Sequence, residues 1–132
     1  MVRYVVLDTD VASRTIRGKL DGSLAARLTG YTWYVSFIIV GELWQWSETT
    51  NWGRRSRAEL ERWLGHVGVI DSDEAVSRTW GRICAAAARR GRPRQVNDSW
   101  IAACCLANGI PLATLNLKDY LDFADHEGLI LL

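Results

Sequence analysis

The chain is expected to form an α/β fold, a three-layer α/β/α arrangement around a central, mainly parallel sheet, as one domain over residues 1–132. Two observations carry that expectation. Apolar runs of strand length alternate with helical periodicity along the whole chain, and runs such as Tyr4 to Leu7 and Val35 to Val40 lack the apolar–polar alternation of a sheet with one wet face. The length suits a single core, and no linker, repeat or low-complexity stretch divides it.

Taken in order, residues 3–7 form a buried strand, and Asp10 to Leu28 form two short helices parted near Gly18 and Asp21-Gly22. Trp33 to Ile39 gives a second strand, and a helix runs from Gly41 to about Thr50. Asn51-Trp52-Gly53 breaks it, and Arg54 to Leu64 is helical again. Gly65 to Ile70 is a strand edged by glycine. Ser72 caps a helix to Arg90, and Gly91-Arg92-Pro93 ends it. Asn97 caps a helix from Asp98 to Asn108, which Gly109 closes. Ile110 to Leu115 is a strand, Lys118 to Phe123 a short helical turn, and Leu129 to Leu132 a last strand.

Four acids stand at the ends of these apolar elements. Asp8 follows the first strand, Glu42 the second, Asp98 opens a buried helix, and Asp119 lies just beyond the run Leu112 to Asn116. In open α/β sheets, ligands collect at the carboxyl ends of the strands. Carboxylates gathered there carry a desolvation and repulsion cost that a divalent cation offsets. Hard cations take oxygen ligands, and such an ion assists phosphodiester hydrolysis by acidifying water and neutralising phosphoryl charge. Asp8, Asp98 and Asp119 are the candidate metal ligands; Glu42 is a further ligand or the base. Asp122 and Asp125 lie close enough in sequence to compete with Asp119 for its place.

The formal net charge of +1 does not mark a nucleic-acid binder, but two arginine clusters do suggest phosphate contacts: Arg54, Arg55 and Arg57, and Arg89, Arg90, Arg92 and Arg94. Arg92 and Arg94 directly precede Asp98 and are the first candidates to hold substrate phosphates there. Three cysteines, Cys84, Cys104 and Cys105, have no metal-binding spacing and read as reduced core residues. His66 and His126 do not suggest a metal-free histidine pair. No apolar run reaches the roughly 20 residues of a membrane span, and no signal pattern opens the chain, so a soluble cytoplasmic protein is expected.

The segments Leu7-Asp8-Thr9-Asp10-Val11, Val40-Gly41-Glu42-Leu43, Val96-Asn97-Asp98-Ser99-Trp100-Ile101-Ala102-Ala103 and Thr114-Leu115-Asn116-Leu117-Lys118-Asp119-Tyr120 together resemble the PIN-domain family, in particular its VapC-like toxins. The resemblance spans essentially the whole chain, with the motifs in the family's order. It implies a Mg²⁺- or Mn²⁺-dependent endoribonuclease, inhibited by a cognate antitoxin protein and commonly a homodimer. Asp8, Glu42, Asp98 and Asp119 match the acidic quartet, Thr9 the hydroxyl after the first acid, and Asn116 a polar position near the fourth. Asp10 departs from the family's usual asparagine or serine, and either joins the site or caps the next helix.

Two other readings compete. Asp8-Thr9-Asp10-Val11 also resembles the opening motif of haloacid-dehalogenase-type phosphatases, with Asp8 as nucleophile and Lys118 as the required lysine, although no closing acidic pair follows. A PIN fold that only binds RNA or protein is the other. Seven tryptophans are many for this length; Trp44, Trp46 and Trp52, if exposed, are candidates to dock an antitoxin segment.

Overall fold

A computed structural model describes residues 1–132 and contains four strands and seven helices. The strands are β1 (Arg3–Leu7), β2 (Tyr31–Ser36), β3 (Gly68–Ile70) and β4 (Leu112–Ala113). All pair in parallel in the order β3-β2-β1-β4. The helices are α1 (Thr9–Ile16), α2 (Gly22–Leu28), α3 (Phe37–Thr49), α4 (Arg54–Leu64), α5 (Glu74–Arg89), α6 (Val96–Asn108) and α7 (Leu117–Glu127).

The parallel sheet follows from the unalternating strands. Val5, Val6 and Leu7 are wholly buried because helices cover both faces of β1. The chain passes from β1 outward to β2 and β3, then returns to place β4 on the other side of β1. That reversal makes the carboxyl ends of β1 and β4 a topological switch point, where a crevice opens. Helix α6 is the central helix: Ile101 through Cys105 are all buried. Gly109 ends it in the left-handed conformation, φ 64°, which a residue with a side chain rarely adopts.

Several boundaries differ from the sequence reading, for identifiable reasons. The run Val35 to Val40 is not one strand: β2 stops at Ser36, whose hydroxyl accepts from the Ile39 N–H at 3.4 Å and starts α3 at Phe37. Glu42 therefore sits in the second turn of α3 rather than at a strand end. Asp73, not Ser72, caps α5, and Gln95 rather than Asn97 caps α6, which places Asp98 in that helix's first turn. The strand expected over 65–70 is confined to Gly68–Ile70, and that over 110–115 to Leu112–Ala113. The last expected strand reduces to one bridge between Leu131 and Leu112, while the short turn after Lys118 is an 11-residue helix, α7.

Candidate active site

Asp8 leaves β1 at its carboxyl end and caps α1, with Oδ1 accepting from the Thr9 N–H at 2.9 Å. Its Oδ2 accepts from the Thr114 hydroxyl at 2.7 Å, across the short distance from β1 to the end of β4. Thr114 is itself fixed by the Asn116 N–H, 3.0 Å away. These donors favour the ionised form, but burial outweighs them: Asp8 is 6 % exposed, and its pKa is pushed up to about 6, with the charge of Asp10 adding to the rise.

Around Asp8 lies a cleft of about 310 Å³ whose wall includes Asp10, Glu42, Asp98 and Asp119 as well as Tyr120 and Trp46. Three helix N-termini bring the acids there: α1 after Asp8, α6 with Asp98 in its first turn, and α7 with Asp119 in its first turn. Their positive ends favour carboxylates. Glu42 reaches in from α3, its Oε1 accepting from the Thr9 hydroxyl at 2.5 Å and its Oε2 from the Asn97 amide at 3.3 Å. Asp10 is drawn in by the Asn116 amide, 2.9 Å from its Oδ2, and by the Leu115 N–H at 3.3 Å. The Tyr120 hydroxyl, on a ring buried to 1 % exposure, lies 3.2 Å from Asp98 Oδ1 and 3.5 Å from Asp8 Oδ1.

No lysine, arginine or histidine lines this cleft. The carboxyls of Asp10 and Asp98 are both held above the usual range, chiefly by burial, with Asp119 and Glu42 adding repulsion at Asp98. Such a donor set fits a hard divalent cation: all oxygen, anionic, and without an internal counter-charge. No three acidic, histidine or cysteine side chains are drawn tightly enough to form a ready-made cage. Mg²⁺ does not need one, since it usually keeps several waters and takes one or two carboxylates.

The candidates named from sequence thus divide. Asp8, Glu42, Asp98, Asp119, Thr9 and Asn116 meet at one cleft, and Asp10 meets them there. Asp122 does not: it points away, to Arg94. Arg94 is a correction to the sequence reading. Its side chain is 8 % exposed, lies 2.7 Å from Asp122 Oδ2 and 2.7 Å from Glu127 Oε1, and rests over the Phe123 ring. It is turned inward to neutralise the nearly buried Glu127 and the half-exposed Asp122, so it has no free face for RNA. Arg92 is exposed. Trp44, Trp46 and Trp52 are half-buried rather than exposed, and Trp46 meets Trp52 edge to face at 4.4 Å.

Tyr120, Thr114 and Asn97 are site residues that sequence reasoning passed over. Each lies inside or beside a quoted motif, but a hydroxyl or amide carries no charge to draw attention. Lys118 does not line the cleft. The phosphatase reading therefore lacks its lysine.

The PIN domain family model matches residues 5–124. The chain is 33 % identical over 131 residues to Ribonuclease VapC4 of Mycobacterium tuberculosis, covering 96 % of this chain and 95 % of that one. It is 29 % identical to the tRNA(fMet)-specific endonuclease VapC of Shigella flexneri, over 91 % of each. Among solved structures, the DNA-bound VapBC of Salmonella typhimurium superposes with a TM-score of 0.84 at 27 % identity, over 100 % of this chain and 98 % of that one. VapBC-1 of nontypeable Haemophilus influenzae also gives 0.84, at 23 % identity and 98 % and 96 % coverage. The chain belongs to the PIN-domain family, among the VapC-like ribonuclease toxins of toxin–antitoxin systems.

Proposed function

We propose that this chain cuts RNA endonucleolytically with Mg²⁺ or Mn²⁺ held by Asp8, Asp98 and Asp119, and that a cognate antitoxin restrains it in the cytoplasm. The observation that carries the metal reading is the cleft itself: five carboxylates share it with no cationic side chain. A divalent ion bound there supplies charge neutralisation at the phosphoryl oxygens and a more acidic water. Thr9 and Asn97 orient Glu42 by one hydrogen bond to each oxygen, which leaves it free lone pairs to take a proton from the attacking water. Thr114 and the Thr9 N–H keep Asp8 aimed at the cleft, and Tyr120 fixes its distance from Asp98. Asn116 ties Asp10 to the chain that follows β4, joining the two sides of the cleft.

The VapBC complexes among the structural neighbours make an antitoxin the expected protein partner, and the tRNA(fMet)-specific relative makes that tRNA a substrate to try first. The test is cleavage of a panel of structured and unpaired RNAs, tRNA(fMet) included, by antitoxin-free protein with Mg²⁺, Mn²⁺ or EDTA. Cutting that needs the metal and vanishes in Asp98→Asn supports the proposal. Equal cutting in EDTA would remove the metal from it, and cutting that survives Asp98→Asn would remove that residue.

A further inference from the structure

The largest hollow in the molecule, about 510 Å³, lies at the opposite pole from the acidic cleft, and hydrolysis gives it no role. It opens at the amino ends of the strands, among the first residues of β1 and β2 and the link from α6 to β4. The sheet register builds one wall. Val6 pairs with Tyr34, and Tyr34 with Gly68, so Tyr34 shares a face with Tyr4, two residues before Val6. The two rings meet edge to face at 5.6 Å. Gly68 lets the Tyr34 ring lie against β3, since a Cβ there would come within 2.2 Å of it. Helix α6 stops at Asn108, and the chain turns through Gly109 and Pro111 into β4, which leaves these rings as an open wall. Around the end of the sheet, the Arg3 guanidinium lies 4.5 Å from the centre of the Tyr31 ring.

We propose that this hollow binds a free nucleoside monophosphate or a molecule of like chemistry: a planar aromatic ring carrying one phosphate. No acid lines the hollow, and Arg3 has no carboxylate partner. Of the tyrosine hydroxyls in the chain only that of Tyr120 is bonded internally, so those of Tyr4, Tyr31 and Tyr34 are free to donate. The guanidinium fork matches a phosphate with two parallel hydrogen bonds, and the phenols can reach its remaining oxygens. The tyrosine rings and the guanidinium plane offer faces and edges to a flat ring. A mainly apolar concavity of several hundred Å³ with a few convergent polar groups is the common form of a small-ligand site. A neutral ring would leave Arg3 unmatched, and a cation would be repelled by it. A bare phosphate would leave the rings idle. The two poles also differ in sign: five carboxylates line the cleft, so without metal an anion is repelled there and directed to this hollow.

The test follows backbone amide NMR signals of the full chain in EDTA as AMP, adenosine or ribose 5-phosphate is added. AMP is expected to shift the amides of residues 2–4, 31–34 and 108–110 saturably, and to leave those of Asp8, Asp98 and Asp119 in place. Adenosine should bind the same residues roughly tenfold more weakly, for want of the charged contact. Ribose 5-phosphate, without a ring to stack, should bind more weakly than AMP. Arg3→Gln should bring AMP down to the affinity of adenosine and leave adenosine unchanged. Tyr4→Ala, at a residue 42 % exposed that the fold does not need, should weaken AMP and adenosine alike by a few-fold. Shifts without saturation, shifts centred on the cleft, or equal affinity for AMP and adenosine would each overturn the proposal. So would an Arg3→Gln chain that binds AMP as the parent does. A short oligoadenylate that displaces AMP nucleotide for nucleotide would overturn it too, by giving the hollow to a polymer.

Discussion

Helix α7 carries acids into two opposite surroundings. Asp119, in its first turn, faces a cleft of carboxylates without a cation. One turn further on, Asp122 sits among Arg94, Arg90 and His126, and Glu127 is paired with Arg94 at 2.7 Å. The consequences diverge. Asp8 in the cleft is raised to about 6 by burial, whereas hydrogen bonding to Arg94 holds Asp122 below its usual range. Both regions cluster acids; only one neutralises them internally. Paired acids hold the fold together, and unpaired acids await something from outside.

The largest contrast should come from removing the centre of each region. Asp8→Asn is expected to lower RNA cleavage about 100- to 1,000-fold while leaving a folded, and in the absence of metal more heat-stable, protein at pH 8. Arg94→Ala should do the reverse: it leaves the nearly buried Glu127 carboxylate only Arg90, 3.9 Å away, and costs up to about 3 kcal/mol, with cleavage per folded molecule little changed. Thermal melts and initial rates on both variants decide it. An Asp8→Asn chain that melts lower than the parent at pH 8 would break the comparison.

Acid should separate the two regions next. The Asp8 carboxyl has a folded pKa of about 6 against 3.8 ordinarily, so the metal-free folded chain binds the extra proton between those values. Its contribution to stability is most favourable below about pH 4 and is lost as pH rises through 6, a difference of about 3 kcal/mol at most. Asp122 runs the other way: its pairing stabilises above the ordinary carboxylate pKa and is lost as pH falls through its lowered one. Melting temperature against pH should therefore fall less steeply between pH 4 and 6 in Asp8→Asn, Asp10 and Asp98 accounting for the remainder. Mg²⁺ should raise the melting temperature of the parent more at pH 8 than at pH 5. Equal metal-induced shifts at the two pH values would show that the cleft acids do not govern binding.

What the sequence made legible follows the same division. Charged residues beside apolar runs are visible, which is why Asp8, Asp98, Asp119 and Glu42 stand out before any fold is known. The alternation of runs shows the parallel sheet, because strands covered on both faces have no polar side to display. Less visible were features that depend on contacts distant in sequence. Nothing local distinguishes Arg94, folded onto Asp122, from Arg92, exposed two residues earlier. Ser36 divides a continuous apolar run into strand and helix through one side-chain cap, and periodicity over so short a run does not show the break. Tyr120 becomes a site residue only because α7 brings its hydroxyl between Asp8 and Asp98.

Tyr120→Phe sharpens the comparison inside the cleft without adding or removing a carboxylate. The ring keeps its packing against Phe123, 5.9 Å between centres, so the fold should survive. What is lost is the hydroxyl that reaches both acids. The expected result is a 10- to 100-fold weaker half-saturation by Mn²⁺, of the order seen when groups orienting metal ligands are removed. The loss should be non-additive with Asp98→Asn, since the hydroxyl acts through that carboxylate. Fully additive losses would mean that Tyr120 supports the core and not the acids.

The smallest effects should come from neutralising α7's own two acids, and they test the division within a single helix. Asp119 is exposed and makes no ion pair, so Asp119→Asn should leave the melting temperature within a degree or two while lowering cleavage roughly tenfold. Asp122→Asn removes the 2.7 Å contact to Arg94 but leaves that arginine its bond to Glu127, so it should cost about 1 kcal/mol and spare cleavage. The two substitutions are chemically identical and lie three residues apart. A stability loss in the first with an activity loss in the second would invert the assignment and make Asp122 the fourth acid of the site. The expected pattern, each variant failing in one assay only, would show that α7's sequence of turns, rather than its charge, decides which carboxylate serves the reaction.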